Sequence, residues 1–176
     1  MPKHVEIIAR GVILHRRSVL LCQHARKKYF YLPGGHIEWG EAGQEALIRE
    51  MQEEAGLRVA PNPLVAVEDH FFEQDGKKRH ELNLIFFAFI ADAEIKRHPE
   101  RVRSLEKDIR FRWCPLRELK NTRLLPESHK GVVRYCARTP FSTLAAIDLY
   151  DWSLNGESQR LKAKIPWGLP RWFKYP

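Results

Sequence analysis

The chain reads as an α/β protein in which a mixed β-sheet lies between helical layers, and three features predict this. Short segments rich in β-branched and aliphatic residues recur from Val5 to Trp113, one uninterrupted helical stripe is set among them early, and a second, shorter helix follows late. The apolar run Leu84–Ala91 carries no polar residue on either face. A strand of that kind demands cover on both sides, as in the middle of a sheet packed between helices.

The elements follow in order. Val5–Leu14 and Val19–Cys22 read as strands joined by the polar turn His15–Ser18, and Tyr29–Leu32 as a third that ends where Pro33-Gly34-Gly35 forces a sharp turn. From Gly40 to Ala55 there is no proline and one β-branched residue, Ile48, while Ala42, Ala46, Leu47, Met51 and Ala55 fall on one helical stripe that Gly56 stops. Leu57–Val59 and Leu64–Phe72 are strand-like, and Asp75-Gly76 turns the chain into His80–Ala91. A polar connection over 92–108 leads to a last strand at Phe111–Trp113 and to short helices around Leu116–Lys120 and Glu127–Ala137. We find no internal repeat. The expected organisation is one domain over residues 1–138 and an irregular extension over 139–176, rich in proline and holding Trp152, Trp167 and Trp172, draped over that domain.

A length of 176 residues with 44% hydrophobic and 30% charged residues is that of a globular protein with one core. The longest apolar run is far shorter than the roughly 20 residues of a membrane-spanning helix, and Glu6, Arg10, His15, Arg16 and Arg17 break up any signal-peptide core. No membrane partner is expected. Cys22, Cys114 and Cys136 are widely spaced and odd in number, which suggests neither a disulfide framework nor a zinc site but reduced thiols in a cytoplasmic protein.

Chemistry concentrates on the long helix. Glu50, Glu53 and Glu54 are spaced three and four apart, so their carboxylates share one face of the last turns. There they repel one another and oppose the helix dipole. A hard divalent cation such as Mg²⁺, which takes oxygen ligands and is commonly shared between carboxylates and substrate phosphates, resolves that conflict. A solvated acidic face is the plainer reading of three glutamates alone.

Their surroundings decide between the two. From Gly35 the chain runs five residues to Glu41, seven more to Arg49-Glu50, then Met51, one residue, Glu53-Glu54, one residue, Gly56 and Leu57. This matches the Nudix box at every fixed position without insertion, and the chain resembles the Nudix hydrolase family over roughly residues 1–138. The resemblance implies an α/β/α sandwich with a catalytic loop-helix-loop, and hydrolysis of a pyrophosphate bond in a nucleoside diphosphate linked to another group X, with Mg²⁺ or Mn²⁺. It implies Glu50, Glu53 and Glu54 as metal and water ligands, the Gly35 carbonyl as a further ligand, and Arg49 and Glu41 as orienting groups. Among catalytic residues Glu53 is the expected general base. The family also places that base on a distant loop, where this chain offers Glu94, Glu100 and Glu106.

Substrate contacts are expected from Glu38 and Trp39, between Gly35 and the helix, and from His70, His80 and Glu81 around a hairpin near the cleft, with Glu68 close by. Trp39 either stacks on a base or fixes its loop. The charge is dipolar along the chain: residues 96–138 hold 13 Lys or Arg against 5 Asp or Glu, whereas residues 38–54 hold 6 Glu against Arg49. Arg110, Arg112 and Arg123 are candidate phosphate contacts. The expected substrate is a small nucleoside diphosphate derivative: a nucleotide sugar, ADP-ribose, a dinucleoside polyphosphate or a modified triphosphate. RNA 5′-end pyrophosphohydrolysis is the alternative enzyme, and a non-catalytic Nudix-like sensing or interaction domain the alternative of another class. A homodimer is compatible with all three.

Overall fold

In the computed structural model, residues 4–140 are described, with the backbone of 150–152 and 158–160. Two strands carry the interior, β1 (Glu6–His15) and β5 (Lys77–Ile90), paired in parallel from Glu6↔Glu81 to Ile13↔Ala88. Along β5, Phe86, Ala88 and Ile90 enter one buried cluster while Ile85 and Phe87 enter the other. The apolar run is covered on both faces, as the sequence predicts.

The first cluster packs under helix α1 (Gly43–Ala55), which contributes Ala46, Leu47 and Met51. The second packs under helix α3 (His129–Arg138), which contributes Val133 and Cys136. Each large side chain so buried is worth about 1.5–3 kcal/mol. The layers therefore form the expected α/β/α sandwich around a mixed sheet, ordered β3-β2-β1-β5-β4. Here β2 is Ser18–His24, β3 is Phe30–Tyr31 and β4 is Val59–Gln74, while β6 (Ile109–Pro115) pairs antiparallel with β2. All three cysteines are buried free thiols.

β1 and β2 pair only at Leu14↔Val19 and His15↔Ser18, beside their turn, and then diverge. The chain after β3 fills the gap: Gly11 donates to the Pro33 carbonyl at 2.8 Å, Ala9 to Gly35 at 2.9 Å, and Ile37 to Ile7 at 2.9 Å. The Pro-Gly-Gly turn is thereby laid against the central parallel pair. Gly34 has φ +123, and a β-carbon there would lie 2.1 Å from the Ala9 carbonyl oxygen, so no other residue fits.

Some elements differ from the sequence reading. The segments around Leu57–Val59 and Leu64–Phe72 form one long strand, β4, whose register shifts between Pro61 and Ala66 where proline donors are missing. The polar connection after β5 includes a short helix, α2 (Ala93–Arg97), and the region around Leu116–Lys120 is a 3-10 turn at Leu119–Asn121. Asp75 and Gly76 turn β4 into β5 with φ of 52 and 72. Beyond residue 140 the described backbone forms a two-stranded hairpin, Tyr150–Trp152 with Ser158–Arg160. The expected draping of the tail lies outside the described residues. None of the helices described is long and apolar enough to cross a membrane.

Candidate active site

Helix α1 is held at both ends by its own sequence. Glu45 reaches back to the Ala42 N–H at 3.0 Å, and Gly56, left-handed at φ 60, closes the C-terminus with its N–H on Gln52 and that of Leu57 on Met51. The apolar stripe faces the core and takes Glu54 with it, at 7% exposure. Glu50 lies at the helix margin, and the Glu53 side chain is 58% exposed.

Arg49 organises the carboxylates. Its Nε and Nη2 donate to the two oxygens of Glu41 at 2.9 and 3.0 Å, Nη2 also to the His36 carbonyl at 2.9 Å, and Nη1 to Glu50 at 2.9 Å and Glu53 at 3.1 Å. Glu41 in turn accepts the Glu38 N–H at 3.1 Å. The Arg49 hydrogen bonds hold the Glu41 carboxyl below its ordinary value, against a smaller upward push from burial. One guanidinium thus ties the turn, the loop before α1 and two of the helix glutamates into a single unit.

Gly35 is explained by proximity: a β-carbon at that position would sit 2.4 Å from Cδ of Glu50. The turn is a seat for that carboxylate. Its own carbonyl accepts the Ala9 N–H, while the Gly34 carbonyl accepts from Arg10.

Glu54 is the misfit of the cluster. Burial, followed by the charges of Glu50 and Glu106, pushes its carboxyl up to about 8, and its buried Oε2 has no hydrogen-bond partner among the described residues. Glu106 enters through the loop after α2, where the Leu105 N–H donates to the Glu54 carbonyl at 2.7 Å. Glu100 is engaged by His98 at 3.3 Å; the Glu94 side chain is not among those described.

An all-oxygen donor set with an orphaned buried carboxylate oxygen fits a hard divalent cation. Among the described residues no three acidic, histidine or cysteine side chains already converge on one point, because Glu50 and Glu53 are turned onto Arg49.

Arg10, bonded to the Gly34 carbonyl, joins the turn to a cleft of about 870 Å³ whose lining includes none of the helix glutamates. One wall holds Tyr29 and Tyr31, the other His70 and Phe72, the latter pair stacked at 5.1 Å between centroids. Glu81, Arg10 and Arg123 also line it. His70 and Glu81 are register partners, so both reach the cleft; His80 pairs with Phe71 on the opposite face, stacks on it at 4.0 Å and holds Asp69 at 2.6 Å. Glu38 is exposed, and Trp39, at 103% exposure, packs on none of the described residues. Glu68 faces helix α3: Ser128 donates to it, and His129 Nε2 stands 2.8 Å from its Oε2. The sequence reading did not single out Tyr29, Tyr31, Phe72 or Arg10. The signal is the alternation Tyr29/Tyr31 and His70/Phe72, side chains two residues apart on one face of an extended segment.

Comparison with known proteins agrees with this fold. The family model "NUDIX domain" matches residues 6–136. An ADP-ribose pyrophosphatase of Methanocaldococcus jannaschii is 30% identical over 97 residues, covering 53% of this chain and 56% of that protein. The human 8-oxo-dGDP phosphatase NUDT18 is 42% identical over 73 residues, covering 39% of this chain and 23% of that protein. The chain thus spans little more than half of the one and less than a quarter of the other. Among solved structures, a Nudix hydrolase from Nitrosomonas europaea superposes with a TM-score of 0.62 at 22% identity, covering 80% of this chain and 96% of that one.

Proposed function

The chain belongs to the Nudix family of hydrolases acting on nucleoside diphosphate derivatives, and from that premise we propose that it cleaves the pyrophosphate bond of a small nucleoside diphosphate joined to a further group, with Mg²⁺ as cofactor and Mn²⁺ as substitute. The observation that carries this reading is the row Glu50, Glu53 and Glu54 on one helix, the first two held by Arg49 and Glu50 seated on Gly35, with Arg10 joining that turn to an aromatic cleft of nucleoside size.

Glu50, Glu53 and Glu54 would hold the cation, with the Gly35 carbonyl, which also accepts the Ala9 N–H, as a further ligand. A cation held there would supply acidification of the attacking water and charge neutralisation of the diphosphate. Arg49 keeps Glu50 and Glu53 oriented throughout. Glu53 Oε1, which takes no part in the Arg49 contacts, accepts the proton of the attacking water. Glu106 is the second candidate for that role, favoured by the docking of its loop on the end of α1. The base stacks between the Tyr29/Tyr31 and His70/Phe72 walls, with Glu81 and Arg123 at its edges. We assign the activity to residues 1–138.

The test is a panel of ADP-ribose, UDP-glucose, a dinucleoside tetraphosphate and 8-oxo-dGTP, with Mg²⁺ and ¹⁸O-water to mark the phosphorus attacked. Hydrolysis of at least one, lost by about 10²-fold or more in Glu53→Gln or Glu106→Gln, supports the reading and identifies the base. A panel left intact refutes it.

A further inference from the structure

Arg10, on β1, stands where the cleft meets the Pro33–Gly35 turn. Its Nη1 donates to the carbonyls of Gly34 at 2.9 Å and Leu32 at 3.3 Å, its Nε lies 3.4 Å from Oδ1 of the buried Asn83, and its guanidinium carbon is 5.4 Å from the Tyr31 ring centroid. Every one of these hydrogen-bonding and ring partners is neutral; the buried Glu54 carboxylate feels the Arg10 charge but forms no ion pair with it. Among the described residues no carboxylate forms an ion pair with it, in contrast to Arg49, Arg79 and Arg26. Asn83 stands between Arg10 and Glu81, accepting from the one and donating to the other at 3.5 Å.

A part-buried cation is normally paired, because neutral dipoles return only part of what desolvation costs. One held by carbonyl oxygens and an aromatic ring, with Glu54 near enough to feel its charge but not paired with it, is arranged at the wall of the cleft for an incoming anion. The contacts use Nε and Nη1 and leave the Nη2 donors for that anion. Gly34 precedes the residue on which Glu50 rests, so Arg10 lies between the aromatic walls and the carboxylates.

We propose that Arg10 anchors the phosphate next to the nucleoside, gripping it while the same guanidinium holds the Gly34 turn. This rests on the cleft being the nucleoside site. It adds a specificity rule: the cleft takes nucleotides and discriminates against nucleosides before any cation binds.

Isothermal titration in EDTA, with the four common ribonucleosides and their diphosphates, tests this without turnover. The intact chain should bind at least one diphosphate about tenfold or more tighter than its nucleoside, the size of a charge-assisted contact. Arg10→Met should erase that difference and leave nucleoside affinity within about twofold, whereas Arg10→Lys, keeping charge without the fork, should restore part of it. Should Arg10→Met not fold, Arg10→Lys carries the test, with the phosphate increment reduced and nucleoside affinity kept. Equal weakening of both ligands would make Arg10 a strut of the cleft wall and overturn the proposal. So would an unchanged increment, or an intact chain that binds no diphosphate better than its nucleoside. Hydrolysis of the substrate panel is measured separately, so a failed phosphate anchor and a failed catalytic assignment are distinguishable.

Discussion

At the scale of single residues, the site depends on one arginine and one missing side chain. Arg49 makes a two-pronged contact with Glu41 and reaches Glu50, Glu53 and the His36 carbonyl besides, which a lysine ammonium has no geometry to reproduce. Arg49→Lys should lower kcat by about 10- to 100-fold and leave KM within a few-fold, since it loosens the glutamates without touching the cleft. Steady-state kinetics checks this. Gly35→Ala places a methyl group against the Glu50 carboxylate. We expect it to destabilise the chain by about 1–3 kcal/mol in thermal unfolding and to weaken Mn²⁺ binding in a titration. These residues were legible in the sequence because all of them lie within the 23 residues from Gly35 to Leu57, where spacing in the chain fixes spacing on the turn and helix.

At the scale of elements, the cleft is built by strands that are not neighbours in sequence, and here the sequence was a poorer guide. Tyr31 and Phe72 come from β3 and β4, and only the order of strands brings them to one opening. The hairpin shows the cause most plainly. Asp75-Gly76 was visible as a turn, but which of His80 and Glu81 faces the cleft depends on register, and His70↔Glu81 pairing turns His80 away. Elements also carry a pH dependence. Burial works to raise the Glu68 carboxyl, but its contacts with His129 and Ser128 on the α3 side outweigh this and hold it below its ordinary value of 4.5. A depressed carboxyl stabilises the fold above the unfolded value and loses that contribution as pH falls through the folded one. Acid should therefore loosen α3 from β4, with stability dropping from about pH 5 downward. Thermal unfolding of Glu68→Gln across the same range should show a shallower drop.

At the scale of the whole molecule, the net charge of +8 accompanies a local acidic centre. Arg110 and Arg112 are exposed on β6, away from the helix glutamates, while Arg10 and Arg123 line the cleft. That distribution suits a compact polyphosphate set between cation and arginine. Filter binding in about 0.15 M salt should accordingly show no retention of single-stranded RNA; tight retention with a steep salt dependence would favour RNA 5′ ends as substrate. A chain ending at Arg138 should keep the intact chain's kcat/KM, because every side chain assigned a role precedes that residue. The central claim is that three glutamates on α1 recruit a divalent cation for pyrophosphate cleavage. Mg²⁺-dependent product release by the intact chain, Glu54→Gln and a Glu50→Gln/Glu53→Gln double variant, measured on one substrate of the panel, tests it most directly. We expect saturable Mg²⁺ activation in the intact chain, and in both variants a weakened Mg²⁺ response with activity down by about 10²-fold or more. Equal rates in all three proteins, or a rate indifferent to Mg²⁺ and EDTA, would contradict it.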